Sequence, residues 1–225
     1  MARNSTGLSQ PAYEYILHMI MTKKLMPGEK IPEQRIAQEL SISRSPVREA
    51  MLRLSNEGLI TIFPNRFAQV ASYDEKIMCD IGTLRVALDS LSIKLAFLCG
   101  SLVDFLNLKD IAENCSQALE QKDYVMRRKY DCDFHLELAK LSRNDQLIKI
   151  QSQLYLQVQF LILHHPDILK YNPTHIQQHF EIAEALINRD EAKALSLTFD
   201  HLTSFYDLRS KYPTDFFGTG SLFPL

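Results

Sequence analysis

The sequence predicts a mainly α-helical protein with a single two-stranded hairpin, and three observations carry that prediction. There are seven glycines in 225 residues, and runs of β-branched residues are scarce outside one short stretch. From about residue 74 to 210 nearly every segment follows the 3.6-residue period of an amphipathic helix. Between residues 59 and 70 the period changes. Leu59-Ile-Thr-Ile-Phe63 is an apolar, β-branched run, Pro64-Asn65-Arg66 is a turn, and Phe67-Ala-Gln-Val70 returns.

In chain order, residues 1–9 form a polar tail, and Pro11 opens a helix to about Lys24. Met26-Pro-Gly-Glu29 is a turn, and Pro32 starts the next helix. Ile36, Ala37 and Leu40 form its apolar face, and Ser41-Ile-Ser43 is too short and polar to be anything but a turn. Val47, Ala50, Met51 and Leu54 then recur at one helical face, while Arg44, Ser45, Arg48 and Arg53 fall off it. Pro46 fits only a first turn, which makes Ser45 the expected N-cap and Ser43 the alternative. Gly58 stands where a helix ends. The pair also fits a generic amphipathic hairpin with solvated arginines. The β-hairpin that follows favours a winged helix-turn-helix. In that arrangement the helix start offers Arg44, Ser45 and Arg48 to base edges or phosphates, and the wing offers Asn65 and Arg66.

Six helices are expected after the linker, at about 74–99, 102–120, 123–142, 145–164, 173–188 and 190–210. Their separators are Gly100-Ser101, Gln121-Lys122, Arg143-Asn144, the loop from His165 to Asn172, and Arg189. Connections this short force antiparallel neighbours, so an all-α antiparallel bundle of six or seven helices is predicted. The tail contains Pro213, Gly218, Gly220 and Pro224 and cannot continue the last helix.

The net charge of −2 hides an asymmetry. Residues 1–70 hold nine Lys or Arg against six Asp or Glu, and the remainder holds 16 against 21. A mildly basic head on an acidic body suits a nucleic-acid module joined to something that avoids DNA. Cys79, Cys99, Cys115 and Cys132 lack the short paired spacing of zinc ribbons or redox motifs, and read as reduced, buried residues of a cytoplasmic protein. No apolar run reaches membrane-spanning length, and no secretion signal or repeat is present.

Chemistry concentrates in the body. Asp131-Cys-Asp-Phe-His135 places a carboxylate and an imidazole one turn apart beside an apolar stripe of Tyr130, Phe134, Leu138 and Leu141. His179 and His201 stand on two further helices. One carboxylate and three imidazoles converging in a bundle suit a divalent Zn, Ni, Mn or Fe ion. A plain hydrogen-bonded Asp/His pair fits the same spacing, and His175 competes with His179. His164-His165 reads as a solvated helix end, and His18 as structural.

Two stretches resemble a known family. Ile31-Pro-Glu33, Ile36-Ala37, Leu40, Ser43-Arg-Ser-Pro-Val-Arg-Glu-Ala50, Leu54 and Glu57-Gly-Leu59 are similar to the winged helix-turn-helix of GntR-type transcription regulators, over about residues 10–71. The order Asp131-x-x-Phe-His135, Asn144, His179, Asp190-x-x-x-Ala194 and His201-Leu202 resembles the FCD effector domain of the FadR subfamily, with the helix count of its shorter, VanR-like variant. The resemblance implies that Asp131, His135, His179 and His201 bind a metal. It also matches Arg85 and Asp89 to an arginine and acid of the domain's first long helix, where the arginine faces an effector carboxylate.

The chain departs from the family in three places. Gln34, with Arg35 beside it, stands where some members carry a DNA-contacting arginine. The wing tip is Arg66-Phe67 instead of Arg-Gly. Phenylalanine neither approaches a groove floor as glycine does nor adopts positive φ cheaply. The resemblance therefore does not by itself imply minor-groove contact by this wing or the family's usual half-site preference. Gln178 replaces a glutamate before the third ligand.

The resulting expectation is a winged helix-turn-helix DNA-binding domain at 1–71, a linker at 72–76, an effector-binding and dimerisation domain at 77–210, and a tail at 211–225. A homodimer would bind a near-palindromic double-stranded operator as a repressor, and a small organic acid would bind at the metal. The rival readings are a metal-dependent hydrolase or lyase with a binding head, and a regulator whose metal is purely structural. No His-Glu-x-x-His helix supports the enzyme, and Asp133 and Glu137 point off the ligand face.

Overall fold

The computed structural model describes residues 6–64, 66–164 and 173–212. The chain forms two compact units, Met1–Tyr73 and Asp74–Leu225.

In the first unit, α1 (Thr6–Met21) packs on α3 (Arg44–Asn56), with α2 (Glu33–Glu39) between them in sequence. The helix expected to open at Pro11 begins five residues earlier, so Pro11 lies inside it. The N-cap of α3 is Ser43, not Ser45. Proline is tolerated throughout a first turn because those N–H groups have no intrahelical partner, so Pro46 fits at the third position as well as the first. Val47, Ala50, Met51 and Leu54 are buried together with Ile16, Ile20 and Ile36. After the cap residue Glu57, Gly58 takes φ +82°, and Gly58 and Leu59 donate to Ser55 and Leu54. That is the glycine-terminated C-cap the sequence indicates, and Leu54 and Leu59 on either side of it are both buried.

The hairpin follows as β1 (Ile60–Phe63) paired antiparallel with β2 (Phe67–Val70), with Ile60 opposite Val70 and Phe63 opposite Phe67. The Phe63 and Phe67 rings lie 4.8 Å apart, and Lys30 Nζ sits 4.4 Å from the Phe67 ring. Phe67 thus behaves as a strand residue with ordinary φ, and cross-strand aromatic packing stabilises the wing. Asn65 lies outside the described residues.

The second unit holds α4 (Glu75–Cys99), α5 (Leu102–Glu120), α6 (Tyr124–Leu141), α7 (Asp145–His164), α8 (Pro173–Ile187), α9 (Glu191–Phe205) and α10 (Leu208–Lys211). Asp74 caps α4 by accepting from the Ile77 amide, and Ser101 with Asp104 forms a capping box on α5. Lys122, Arg143 and Arg189 take left-handed φ just after α5, α6 and α8, at the separators expected from the sequence. The last expected helix, 190–210, is broken in two. Tyr206 ends α9, and Asp207 at φ 51° turns the chain into α10. The tail beyond Tyr212, the loop from His165 to Asn172 and the expected Asn172 cap lie outside the described residues.

Helix directions follow from the terminal contacts. Arg189, after α8, donates to the Phe97 and Gly100 carbonyls at 2.8 and 3.2 Å, and Arg143, after α6, donates to Cys99 O at 3.4 Å. The C-terminal ends of α4, α6 and α8 therefore meet, and these cations satisfy orphan carbonyls there. These three helices run parallel, with α5, α7 and α9 antiparallel among them. The core between α4, α5, α6 and α8 is built on Ile93, Phe105, Leu108, Phe134, Leu138, Ile182 and Leu186. Each such side chain contributes about 1.5–3 kcal/mol by burial.

Gly82 permits a close approach. A Cβ there would lie 2.6 Å from the Tyr206 ring. Gly82→Ala is expected to cost about 1–3 kcal/mol through overpacking, read as a lowered midpoint in urea. An unchanged midpoint would show that Tyr206 moves freely. Of the cysteines, Cys115 and Cys132 are buried as expected, but Cys79 is half-buried and Cys99 exposed. Both lie on α4, Cys99 at its solvent-facing last position. No described helix is long and apolar enough to cross a membrane.

Candidate functional site

In the first unit, Gln34, Arg35, Arg44, Ser45, Arg48 and Arg66, the residues expected from the sequence to contact DNA, are all exposed. They are not equally available. Arg35 Nε donates to Glu39 at 2.9 Å, while Glu39 also accepts from Tyr15. Arg48 Nε donates to Glu33 at 2.9 Å, which aims it from α2. Arg44 and Ser45 occupy the first turn of α3, whose N-cap Ser43 makes no side-chain bond to it, so the first-turn amides remain open to an anion. Arg48 and Arg66 line one cleft of about 420 Å³ between α3 and the wing, with Met51, Leu52 and Phe67 on its walls. Leu52, one turn after Arg48 and 56% exposed, is a candidate contact the sequence reading missed. Arg53 is instead committed to the fold. It bonds Gln10 and Glu57 and lies 3.8 Å from the Tyr13 ring.

In the second unit the structure brings together His135 from α6, His179 from α8 and His201 from α9, all buried. His179 Nε2 lies 3.3 Å from both His135 Nε2 and His201 Nε2. Ligands bound at a Zn–N distance of about 2.0–2.1 Å in a tetrahedron stand roughly 3.3–3.4 Å apart. Both separations from His179 therefore match two ligands of one small cation, and all three ligand atoms lie within 4.8 Å of one another. Asp131 reaches the group from one side, its Oδ1 3.9 Å from His179 Nε2. The alternative ligand His175 packs edge-on against His201, with ring centres 5.2 Å apart. His164 packs on Phe160 at 4.6 Å and is half-buried, contrary to the expectation of a solvated helix end. His165 lies outside the described residues, and His18 is exposed.

The second ring nitrogens are also placed. His201 Nδ1 meets Gln178 Oε1 at 3.2 Å, so that nitrogen carries the proton and Nε2 presents its lone pair. His135 Nδ1 lies 3.1 Å from Asp89 Oδ2, at an angle short of a straight hydrogen bond. Asp89 in turn accepts from the Tyr155 hydroxyl at 2.9 Å. Arg85 is 1% exposed and donates to the hydroxyls of Tyr155 and Tyr206 at 2.5 and 3.0 Å. Its own helix supplies Asp89 at 3.6 Å. Sequence reasoning missed both tyrosines, since nothing in their local pattern marks them. Asp133 and Glu137 pair with Lys129 and Lys140, away from the imidazoles.

Burial pushes His179 down to about 3 and His201 well below its usual value, with the neighbouring histidines adding to the shift of His201. Neutral imidazoles are the form a metal requires. Burial alone would raise Asp131, but His179, His135, Arg85 and Arg127 outweigh it and hold the carboxyl below the usual range. A pH dependence follows for metal-free protein. The unfolded chain protonates such a histidine near 6.5, and folded His179 does so only near 3. Below 6.5 the unfolded state binds more protons, so stability falls as pH drops toward 3. The slope is up to about 1.4 kcal/mol per pH unit for each such histidine. Thermal melts in chelator from pH 7.5 to 4.5 measure this, and a flat profile would contradict the suppressed protonation of His179 and His201.

Comparison with known proteins accords with both units. Residues 8–70 match the family described as bacterial regulatory proteins, gntR family, and residues 80–204 match the FCD domain. The chain is 32% identical over 195 residues to the Uxu operon regulator of Haemophilus influenzae, covering 78% of this chain and 71% of that protein. It is 28% identical over 191 residues to the Nta operon transcriptional regulator of Aminobacter aminovorans, covering 84% and 88%. The solved structure of E. coli McbR/YncC superposes with a TM-score of 0.73 at 21% identity, over 92% of this chain and 99% of that one. With its winged helix-turn-helix and its histidine-centred helical bundle, this chain belongs to the gntR family of bacterial regulatory proteins, in the group that carries an FCD domain, and is a DNA-binding transcription regulator.

Proposed function

We propose that the protein is a homodimeric repressor whose operator binding is relieved by a small organic acid held at a metal in the second unit. The observation that carries this reading is the trio of buried imidazoles in which His179 Nε2 lies 3.3 Å from the Nε2 atoms of both His135 and His201, beside Asp131. Asp131, His135, His179 and His201 would hold a divalent Zn, Ni, Mn or Fe ion, which when bound supplies a Lewis-acidic anchor for a carboxylate. Asp89 and Gln178 orient two of the imidazoles. Arg85, kept charged among hydroxyls, offers forked donors to the same carboxylate. To regulate, the acid must bind the DNA-competent and incompetent forms with different affinities.

Arg44, Ser45 and Arg48 would read base edges and phosphates in the major groove, Gln34 and Arg35 would flank them, and Asn65 and Arg66 would contact DNA from the wing. A two-fold dimer supplies two such heads, which implies a near-palindromic operator. The dimer surface is supported by a stripe the sequence reading missed. Leu84, Leu88, Leu91, Leu95 and Leu98 recur on α4 at alternating spacings of four and three. Leu84 and Leu98 are exposed and the others half-buried. Heptad-like leucines on an open face suit a copy of the same helix. Leu91→Glu is expected to convert the dimer to monomer in sedimentation velocity, and a surviving dimer would move the interface elsewhere.

The test of the whole reading is elemental analysis of purified protein, beside thermal melts with small carboxylic acids, with and without chelator. One metal per chain and an acid-dependent shift that chelator removes are expected. A metal whose removal lowers the melt, with no response to any acid, would make the ion purely structural. Metal-dependent turnover of an acid would favour a hydrolase or lyase.

A further inference from the structure

The histidine layer has a second buried cation beside it. Arg127, on the first turn of α6, is 6% exposed, and its Nε has no hydrogen-bond partner among the described residues. Buried guanidinium groups are normally paired, because an unpaired charge loses its hydration without compensation. Here the helix geometry accounts for where the group faces. Arg127 stands one turn N-terminal of Asp131, on the same face of α6. His175 stands one turn N-terminal of His179 on α8, and its Nε2 is also buried without a partner. Arg85 stands one turn N-terminal of Asp89 on α4.

Since α4, α6 and α8 run parallel, all three residues are displaced toward the same end of the bundle, by about 6 Å from those they precede. Asp131 and His175 are the titratable groups that feel the charge of Arg127 on this side. On its other side the Cys115 thiol donates to the backbone carbonyl of Arg127 and also feels its charge, but burial keeps that thiol protonated, so it is no counter-ion. The layer is therefore flanked by Arg85, already held by two tyrosines, and by Arg127 with His175, whose Nε and Nε2 atoms have no hydrogen-bond partner among the described residues.

We propose that Arg127, assisted by His175, is a second anion-binding position of the effector site, so that the effector is a dicarboxylate. One carboxylate would lie at the metal and Arg85, and the other would accept from Arg127 and His175. This deepens, and rests on, the organic-acid reading above. It selects the class of acid: a monocarboxylate leaves the buried Arg127 Nε without an acceptor, whereas a diacid supplies one.

The experiment is isothermal titration of full-length, Zn-loaded protein with matched probes: butyrate, succinate and the monoamide succinamate, then valerate and glutarate. At least one diacid is expected to bind roughly 10-fold or more tightly than its monoacid and, for succinate, its monoamide, the range for a hydrogen-bonded charge. Arg127→Met is expected to abolish that excess, and Arg127→Lys to restore part of it, with metal content and melting temperature reporting on the fold. Equal binding of diacid and monoacid by the unmodified protein would overturn the inference while leaving the organic-acid reading intact, whether or not the variants fold. A diacid preference that persists in a folded Arg127→Met protein would likewise overturn it. Binding of none of the acids to metal-loaded protein would overturn the organic-acid reading itself.

Discussion

His179→Ala protein is expected to lose its metal, with affinity falling by at least about 100-fold. Removing a residue that only orients a ligand typically costs roughly 10–100-fold, and His179 is closer to the centre than that. Its Nε2 is the nitrogen that lies 3.3 Å from both other imidazoles, and it is also the one facing Asp131. Deleting it leaves His135 and His201 without their common neighbour. The measurement is metal content by elemental analysis after dialysis, with melting in chelator as the control. In chelator the variant and the unmodified protein should differ only by the cavity left behind, because the metal contribution is absent from both. Full metal occupancy in folded His179→Ala protein would move the site toward His175, which already packs on His201.

Arg48→Ala is expected to abolish specific operator binding while leaving the fold intact. A bidentate arginine contact is worth about 1–3 kcal/mol of discrimination per site. A symmetric dimer loses it twice, so the expected loss is about 2–6 kcal/mol, or roughly 30-fold to more than 10,000-fold. The fold should survive because the side chain is exposed and its partner among the described residues, Glu33, makes a solvent-accessible ion pair of small value. Glu33→Gln separates aim from charge. It keeps Arg48 but removes the carboxylate that holds Nε, and a partial loss of affinity is expected. Titration of labelled operator and of scrambled duplex at fixed salt distinguishes the cases. Equal loss on both duplexes would make Arg48 a phosphate contact, and no loss would remove it from the interface.

The helix pair and hairpin were legible because their signals are local. Val47, Ala50, Met51 and Leu54 mark a face by spacing alone, Gly58 marks a left-handed C-cap, and the β-branched run before Pro64 changes the period. The error at Ser45 has the same origin. A proline in a first turn specifies the turn and not the position within it. The break at Asp207 was invisible because no glycine or proline marks it. A non-glycine residue in the left-handed region is held there by what surrounds it, here Tyr206 lying against Gly82.

The sequence by itself determined which residues could serve a metal and which arginines could face DNA, since these follow from side-chain chemistry and from helical phase within one element. It also determined the order of the helices and where most of them stop. Only the tertiary structure decided which groups meet. Three imidazoles from α6, α8 and α9 converge because α5 and the core built on Phe105 and Phe134 set the spacing of those helices. Arg85 finds Tyr155 and Tyr206, 70 and 121 residues away. Arg127, one more basic residue in a charged stretch of sequence, becomes a buried cation beside the site. Such distances along the chain leave no periodic trace, because burial and pairing are properties of how helices pack and not of the pattern within any one of them.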